Sequence, residues 1–338
     1  MATITEYIEL VLKGKNLTFE QSGKVLDIIF EGGVPEIQIA AFLTAMRCKP
    51  VTAAELAGLA KSLRRHAVKV DAGVDNLVDT CGTGGASVKT FNISTAAAIV
   101  AAGAGVHIAK HGNRGITSGC GSADVLAELG VNIEAGPDIV AGCIKEAGIG
   151  FMFAPRYHPA MKHVQPVRKA LGFRTVFNIL GPLANPAGAN AQVLGVADES
   201  LMPIVAEALN LLGVRRAIIV HSNGLDEIST MGPTKITDLK EGKLTDWTLY
   251  PGDCAIKMVT SDSLIGGDAK SNAEIVRNIL SGKDKGPRKD IVVLNAAAAI
   301  IVAGLGDDFA TAVKIAEQSI ISGAAMQRLE KLVKTSNG

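Results

Sequence analysis

The stretch Asp79–Ser94, DTCGTGGASVKTFNIS, sets Gly82, Gly84 and Gly85 among threonine and serine hydroxyls, after an apolar Leu77-Val78 and before an alanine-rich helical run. Glycines let backbone N–H groups approach an anion closely, and the unpaired N–H groups of a helix start favour negative charge, so the loop suits a phosphate. A plain tight turn also uses glycine for its backbone freedom, and for this loop alone both readings stay open. The loop matches neither GxxxxGK[ST] nor the full GxGxxG spacing, so it is neither a Walker loop nor a dinucleotide fingerprint. A second loop, KHGNRGITSGCGSAD from Lys110 to Asp124, again follows a strand pattern, VHIA, and again precedes a helix. Lys110 and Arg114 bring cationic charge, Asn113 an amide, and Ser118 and Ser122 hydroxyls for phosphate oxygens. Loops after successive strands can converge at the carboxyl ends, where ligands bind in open α/β sheets. Asp226 and Glu227 stand side by side after the strand pattern RAIIVHS. Such a pair is either a solvated loop or a magnesium site, since Mg²⁺ takes oxygen ligands and is usually held by one or two carboxylates plus substrate phosphates. Arg168 and Arg174 lie in HPAMKHVQPVRKALGFRTVFNILGPLANP, and the guanidinium fork suits a substrate carboxylate. His158 and His163 in the same stretch lack zinc-helix spacing and read as cleft wall or helix surface.

These groups need a scaffold that presents strand ends side by side. From Asn76 onward, short β-rich runs (LVD, VHIAK, GFMFA, QVLGVA, RAIIVHS) alternate with helical ones, which predicts a mainly parallel sheet flanked by helices. The first seventy residues read instead as about four short helices. TFEQ at Thr18–Gln21 and TAAE at Thr52–Glu55 match the capping box, and Gly14 and Gly32-Gly33 act as stops. Around Arg156–Asn185 the β signal lapses into another helical stretch, expected to return to the helical region and form a cleft with it. The expected α/β organisation is therefore a small, mostly helical domain over 1–72, joined in space by about 156–188. A large α/β domain is expected over 73–155 and 189–338. The longest apolar run, Ile291–Gly306, is interrupted by Asn295 and is too short to span a bilayer, so it reads as a buried core helix.

Composition narrows the function classes. The 338 residues carry 34 Lys plus Arg against 33 Asp plus Glu, so no global field points to nucleic acid or a membrane surface. Five scattered cysteines without a CxxC pair suggest neither a disulfide framework nor a zinc site, and fit a reducing cytosol. The start, MATITEYIELVLKGK, lacks the basic head and long apolar core of a signal peptide.

GTGG followed by NIST, KHGNR followed by GSAD, VRKALGFRTVFNILGPLANPA and the later Asp-Glu pair, in this order, closely resemble the anthranilate phosphoribosyltransferase family of tryptophan biosynthesis over essentially the whole chain. The resemblance implies a cytoplasmic homodimer, Mg²⁺, and the substrates anthranilate and 5-phosphoribosyl 1-diphosphate, with a possible association with an anthranilate synthase. Carried over by position, Gly82, Gly85, Ala86, Thr90, Asn92, Ile93, Ser94 and Thr95 resemble one part of the diphosphate-sugar site. Lys110, His111, Gly112, Asn113, Arg114, Gly115, Ile116, Thr117, Ser118 and Ser122 resemble the rest. Gly82, Asn113 and Arg168 resemble the anthranilate contacts, with Arg168 meeting the carboxylate, and Ser94, Asp226 and Glu227 the magnesium ligands. The implied reaction displaces diphosphate at C1 of the ribose by the aryl amine, through a transition state of oxocarbenium character by analogy with glycosyl transfer. Lys110, backbone amides and Mg²⁺ would neutralise the leaving diphosphate. His111 is the nearest candidate in sequence to take the amine proton, or else a loop histidine bonded to backbone.

Two rivals differ in testable ways. A pyrimidine nucleoside phosphorylase-like enzyme would use one phosphate without a metal diphosphate, and a noncatalytic relative that binds nucleic acid would need a basic surface. One position departs from the family pattern, which usually reads GTGGD where this chain reads GTGGA. Ala86 removes a carboxylate beside the diphosphate and metal. That loss either weakens metal or substrate binding, or is neutral or flattens the response to high Mg²⁺. With the other loop motifs complete, an active enzyme is expected.

Overall fold

The computed structural model describes residues 3–115 and 119–338, and a seven-stranded sheet organises it. The strands are β1 (Leu77–Gly82), β2 (His107–Gly112), β3 (Ile149–Phe153), β4 (Ala191–Gly195), β5 (Arg216–His221), β6 (Thr234–Lys240) and β7 (Lys243–Leu249). Their order is β3-β2-β1-β4-β5-β6-β7. The first five are parallel, and β6 and β7 add an antiparallel hairpin at one edge. From β1 the chain winds outward to β2 and β3 on one side, then returns to lay β4 and β5 on the other. The order reverses at the β1–β4 seam, which opens a crevice at the strands' carboxyl ends.

Four helices precede the sheet: α1 (Ile4–Leu12), α2 (Phe19–Phe30), α3 (Glu36–Arg47) and α4 (Ala53–Arg65). The two expected capping boxes start α2 and α4. The Gln21 amide donates to Thr18 Oγ1 (3.2 Å) while Gln21 Oε1 accepts from the Thr18 amide (2.9 Å), and Thr52 with Glu55 repeats the exchange at 3.3 and 2.9 Å. Between the strands run α5 (Ile93–Gly103), α6 (Ser122–Glu128), α7 (Pro137–Ala147), α8 (Ala154–Tyr157), α9 (Gln165–Leu171), α10 (Phe177–Leu180) and α11 (Met202–Leu211). After the hairpin follow α12 (Ala269–Leu280), α13 (Pro287–Val302), α14 (Phe309–Ile321) and α15 (Ala324–Ser336).

Two large cores divide the apolar side chains. Within one, α13 is buried from Ile291 through Val302 and packs on α5 and α14, where alanine-rich faces let the helices approach closely. The other joins α2, α3 and α4 to Val164, Val167, Phe177, Leu180 and Leu183 of the 156–188 stretch, and to Leu194 and Ile219 of the sheet. The helical region and the sheet are thus continuous through this second core, and the 156–188 stretch lies between them.

Buried ionisable groups near the β1–β4 seam make stability depend on pH. The His111 and His158 rings stand 5.0 Å apart, edge to face, and burial, aided by neighbouring positive charge, pushes their pKa values down to about 3 and about 4. A base held below its unfolded value contributes stability above that value and loses it as pH falls toward the folded one. Asp79 acts in the opposite sense. Burial raises it to about 6 against the Asn185 hydrogen bond and the Lys110 charge, so its contribution is present below the unfolded carboxylate value and is lost as pH rises through about 6. Between roughly pH 6 and pH 5 the two histidines each take up a proton on unfolding, while Asp79 and Glu227, the latter pushed up to about 8, each give one up. These contributions cancel, and His158 by itself supplies a slope of about 1.4 kcal/mol per pH unit. The melting temperature of His158→Gln is therefore expected to fall less, or rise more, than that of the unmodified chain as pH is lowered across that window. A slope unchanged by the substitution would remove His158 as its source.

Candidate active site

The loop after β1 is fixed at both ends by its neighbours. Gly82 pairs in register with Gly195, the Thr83 amide donates to the Gly195 carbonyl (2.9 Å), and Thr83 Oγ1 accepts from the Ala197 amide (3.2 Å). The Gly84 amide then donates to Asp226 Oδ2 (2.8 Å). This places the acid pair against the glycine loop across the β1–β4 seam. Glycine is required here for space: a Cβ on Gly82 would lie 2.2 Å from Asp226 Oδ2, and one on Gly195 would lie 1.6 Å from the Asp226 carbonyl oxygen. Gly84 and Gly85 take positive φ, 68° and 86°. Over Gly85 lies the Arg174 guanidinium, whose Nη2 donates to the Gly84 carbonyl (3.3 Å). Past the half-buried Ala86, the Ser87 amide donates to the Gly224 carbonyl (3.0 Å). The loop therefore touches both the acid loop and the 156–188 stretch.

At the start of α5 the Ser94 amide donates to Glu227 Oε1 (3.3 Å), so a carboxylate sits at a helix N-terminus, where unpaired N–H groups favour negative charge. Thr90 is half-buried, while Ile93 and Thr95 are buried; Thr95 Oγ1 has no hydrogen-bond partner. Asn92 links the two phosphate-loop candidates: its Nδ2 donates to the Cys120 carbonyl (3.1 Å) and its Oδ1 accepts from Asn272 Nδ2 (2.9 Å).

The loop after β2 is closed by Asp124, a residue assigned no role at the sequence level although the GSAD motif contains it. Its carboxylate accepts from Arg114 Nη1 (2.8 Å), the Gly115 amide (2.9 Å) and the Gly121 amide (2.9 Å). Burial would raise the Asp124 carboxyl, but these three donors hold it below the usual range. Ser122 Oγ donates to the Asn113 carbonyl (3.4 Å), and Gly112 leaves room for that hydroxyl. Asn113, Arg114 and Gly115 are exposed; Ile116, Thr117 and Ser118 lie outside the described residues. Since charge-assisted hydrogen bonds are worth about 1.5–3 kcal/mol each, Asp124→Ala is expected to raise KM for a ligand of this loop by about tenfold. Steady-state kinetics checks this, and an unchanged KM would mean that the closed loop binds nothing.

Lys110 and His111 follow strand alternation. Lys110 shares the face of Ile108 and is buried, its Nζ donating to the Thr80 carbonyl (2.6 Å). Its charge thus acts from within the sheet rather than from the loop. Burial lowers its pKa, and Asp79, Cys81 and Glu227 oppose that. The His111 amide donates to Asp79 Oδ1 (3.3 Å), and Asp79 Oδ2 accepts from Asn185 Nδ2 (2.8 Å). On the opposite face from Lys110, the His111 ring is buried with Nε2 unpartnered, beside His158, whose ring nitrogens are also unpartnered. The sequence left His158 as cleft wall or helix surface; the structure buries it against His111.

On α9, the Arg168 guanidinium lies 5.4 Å from the Phe177 ring centroid and 3.5 Å from Gln165 Oε1. Burial pushes its pKa down. Gly82, Asn113 and Arg168, the expected anthranilate contacts, come from three different elements, and among the described residues no hydrogen bond or ion pair joins them.

The acid pair carries the site's electrostatic stress. Burial raises Asp226 despite the Gly84 amide. Burial and then the neighbouring Asp226 charge push Glu227 up to about 8, with Lys110 pulling against them. Among the described residues neither carboxylate has an ion-pair partner, and no cluster of three His, Cys, Asp or Glu forms. Two stressed carboxylates, one of them bonded to the backbone of Ser94, make with that residue's hydroxyl an all-oxygen donor set. They fit a hard divalent cation that keeps waters and takes further oxygens from a phosphate.

Comparison with known proteins agrees with this fold. Residues 74–326 match the model of the glycosyl transferase family a/b domain, and residues 5–67 that of its helical bundle domain. An anthranilate phosphoribosyltransferase from Desulfatibacillum aliphaticivorans is 47% identical over 331 residues, 98% of each chain. The crystal structure of the anthranilate phosphoribosyltransferase from Thermus thermophilus superposes with a TM-score of 0.93 at 39% identity, covering 98% of this chain and 99% of that one. The enzyme of that name from Saccharomyces cerevisiae, in complex with PRPP and Mg, superposes at 0.89 with 30% identity, covering 99% and 98%.

Proposed function

The chain belongs to the anthranilate phosphoribosyltransferase family, and from that premise we propose that the crevice over the β1–β4 seam is its reaction site. There the 5-phosphoribosyl group passes from 5-phosphoribosyl 1-diphosphate to the amine of anthranilate, giving N-(5-phosphoribosyl)anthranilate and diphosphate. The observation that carries this placement is the Gly84 amide on Asp226 Oδ2 at 2.8 Å, which joins an anion loop to a cation site at the sheet's switch point.

Each residue set has a defined task. The glycine loop and the start of α5, with the loop that Asp124 closes, hold the diphosphate through the N–H groups that Gly195, Asp226 and Glu227 leave open. Asp226, Glu227 and the Ser94 hydroxyl would hold Mg²⁺, which when bound supplies charge neutralisation for the departing diphosphate. Lys110 adds positive potential from within the sheet. Arg168, which has no ion-pair partner among the described residues, takes the carboxylate of anthranilate and aligns the amine with C1. No covalent nucleophile is needed, because the amine can bond to C1 directly as the diphosphate leaves with its electron pair. A free aryl amine is already neutral and becomes acidic as its lone pair is used, so a weak acceptor such as solvent suffices; the burial that pushes His111 down to about 3 also opposes its taking the proton.

The homodimer, the cytoplasmic location and the association with an anthranilate synthase are parts of the same proposal. Exposed Leu12 and Ile37, on the packed helices α1 and α3, support a subunit contact. Among the described residues no helix is long and apolar enough to cross a membrane.

Purified protein given anthranilate and either 5-phosphoribosyl 1-diphosphate or ribose 1-phosphate tests the reading. Product is expected from the diphosphate sugar alone, and with Ala86 in place. Turnover of ribose 1-phosphate would favour a phosphorylase. Inactivity at every Mg²⁺ concentration, cured by Ala86→Asp, would show the loop incomplete as it stands.

A further inference from the structure

Helix α13 is buried without a break from Ile291 through Val302, and the one polar residue in that run, Asn295, is aimed at the acid loop. Asn295 is 4% exposed. Its Oδ1 accepts from the Ile228 amide (2.9 Å), and its Nδ2 donates to the carbonyls of Ile228 (2.8 Å) and Ile291 (2.8 Å). The carboxamide therefore satisfies both backbone groups of the residue directly after Glu227, as a neighbouring strand would. Its own hydrogen-bonding groups are used in full, which is the condition for a buried amide to stabilise one geometry. Leucine, of similar volume, would suit the surroundings of α13 better.

The acid loop is also tied to the glycine loop. The Asp226 carboxylate meets the Gly84 amide, and the Ser87 amide meets the Gly224 carbonyl. Both of these anchors lie on the glycine loop. Asn295 ties the backbone just after the pair to α13, and α13 packs along α5, whose first turn carries Ser94 and holds the Glu227 side chain directly. One rigid pair of helices thereby sets the spacing between the hydroxyl and the two carboxylates.

We propose that Asn295 is a positioning residue of the magnesium site, fixing the Asp226–Glu227 backbone through Ile228 so that the carboxylates and Ser94 share one cation. The proposal rests on the reading of Asp226 and Glu227 as the metal-holding pair. Groups behind a metal's direct ligands typically cost about 10- to 100-fold in affinity when removed.

The test compares the unmodified protein with Asn295→Leu, Asn295→Asp, and the double variant Asp226→Asn with Glu227→Gln. Three quantities are read: the Mg²⁺ concentration at half-maximal rate, KM for anthranilate, and calorimetric binding of 5-phosphoribosyl 1-diphosphate with and without Mg²⁺. Asn295→Leu is expected to raise the half-saturating Mg²⁺ by about tenfold or more and to shrink the Mg²⁺-dependent gain in binding. KM for anthranilate stays within about twofold. Asn295→Asp keeps one acceptor for the Ile228 amide and is expected to fall between. Equal Mg²⁺ response in all Asn295 variants, with only a lower melting temperature, would reduce Asn295 to a structural residue and overturn the proposal. A double variant that keeps normal Mg²⁺ dependence would instead overturn the underlying site reading. Should neither Asn295 variant fold, hydrogen exchange of the unmodified chain decides: the Ile228 amide is expected to be protected without ligand, and fast exchange there overturns the proposal.

Discussion

Replacing Asp226 and Glu227 together by Asn and Gln is expected to lower kcat/KM for the diphosphate sugar by about 10³-fold while raising the melting temperature of the ligand-free chain. The first effect follows from losing the charges that hold the cation. Neutralising a departing diphosphate is worth several kcal/mol, and each step of about 1.4 kcal/mol is tenfold in rate. The second follows from the stress in the pair: burial raises both carboxyls, and Asp226 raises Glu227 further. Their amides keep an oxygen for the Gly84 and Ser94 N–H groups, so the loop need not open. Opposite signs on activity and stability mark a site that trades stability for function. Kinetics at fixed Mg²⁺ beside thermal melts in Mg²⁺-free buffer measures both. Activity kept within about tenfold, or a lower melting temperature with intact kinetics, would contradict it.

Gly195→Ala is expected to cost about 100-fold in kcat with a moderate loss of stability. The new methyl would lie 1.6 Å from the Asp226 carbonyl oxygen, and backbone on both sides of the contact leaves no side chain to rotate away. Strand β4 or the acid loop must shift by more than about 1 Å, and a misplacement of that size can cost about 100-fold in rate. Gly82→Ala meets the Asp226 side chain, which can turn, so its effect is expected to be smaller. Gly181→Ala is a control, since a Cβ there meets nothing within 4 Å and its φ is −51°. Equal kinetics for Gly195→Ala and Gly181→Ala would mean that the contact does not position the acid pair.

Much of the architecture was legible because each signal was local. Capping boxes at Thr18 and Thr52, alternating strand and helix runs from Asn76, and the apolar run that became α13 all depend on neighbours a few residues away. The edge hairpin escaped because Glu241-Gly242 turns at φ 48° and 83° without the Asn-Gly or Asp-Gly signature. Its flanks, ITDL and LTDW, set their apolar residues three apart instead of alternating, so the strand period was hidden too. In the site, glycines and hydroxyls announced the two loops, yet their closure needed partners far along the chain. Asp226 answers Gly84 from 142 residues away, and Ile228 answers Asn295 from 67. Gly195, inside the β-rich run QVLGVA, drew no reading for the same reason. The direction of Lys110 could have been read: strand alternation puts it on the face of Ile108, toward the core.

The most direct measurement is the time course of N-(5-phosphoribosyl)anthranilate formation by the purified chain, given both substrates at stepped Mg²⁺ concentrations. The expected result is saturable product formation that requires Mg²⁺ and is lost when Asp226 and Glu227 are replaced by their amides. Absence of product at every Mg²⁺ concentration, or an equal rate in the amide variant, would contradict the placement of the reaction at the β1–β4 seam.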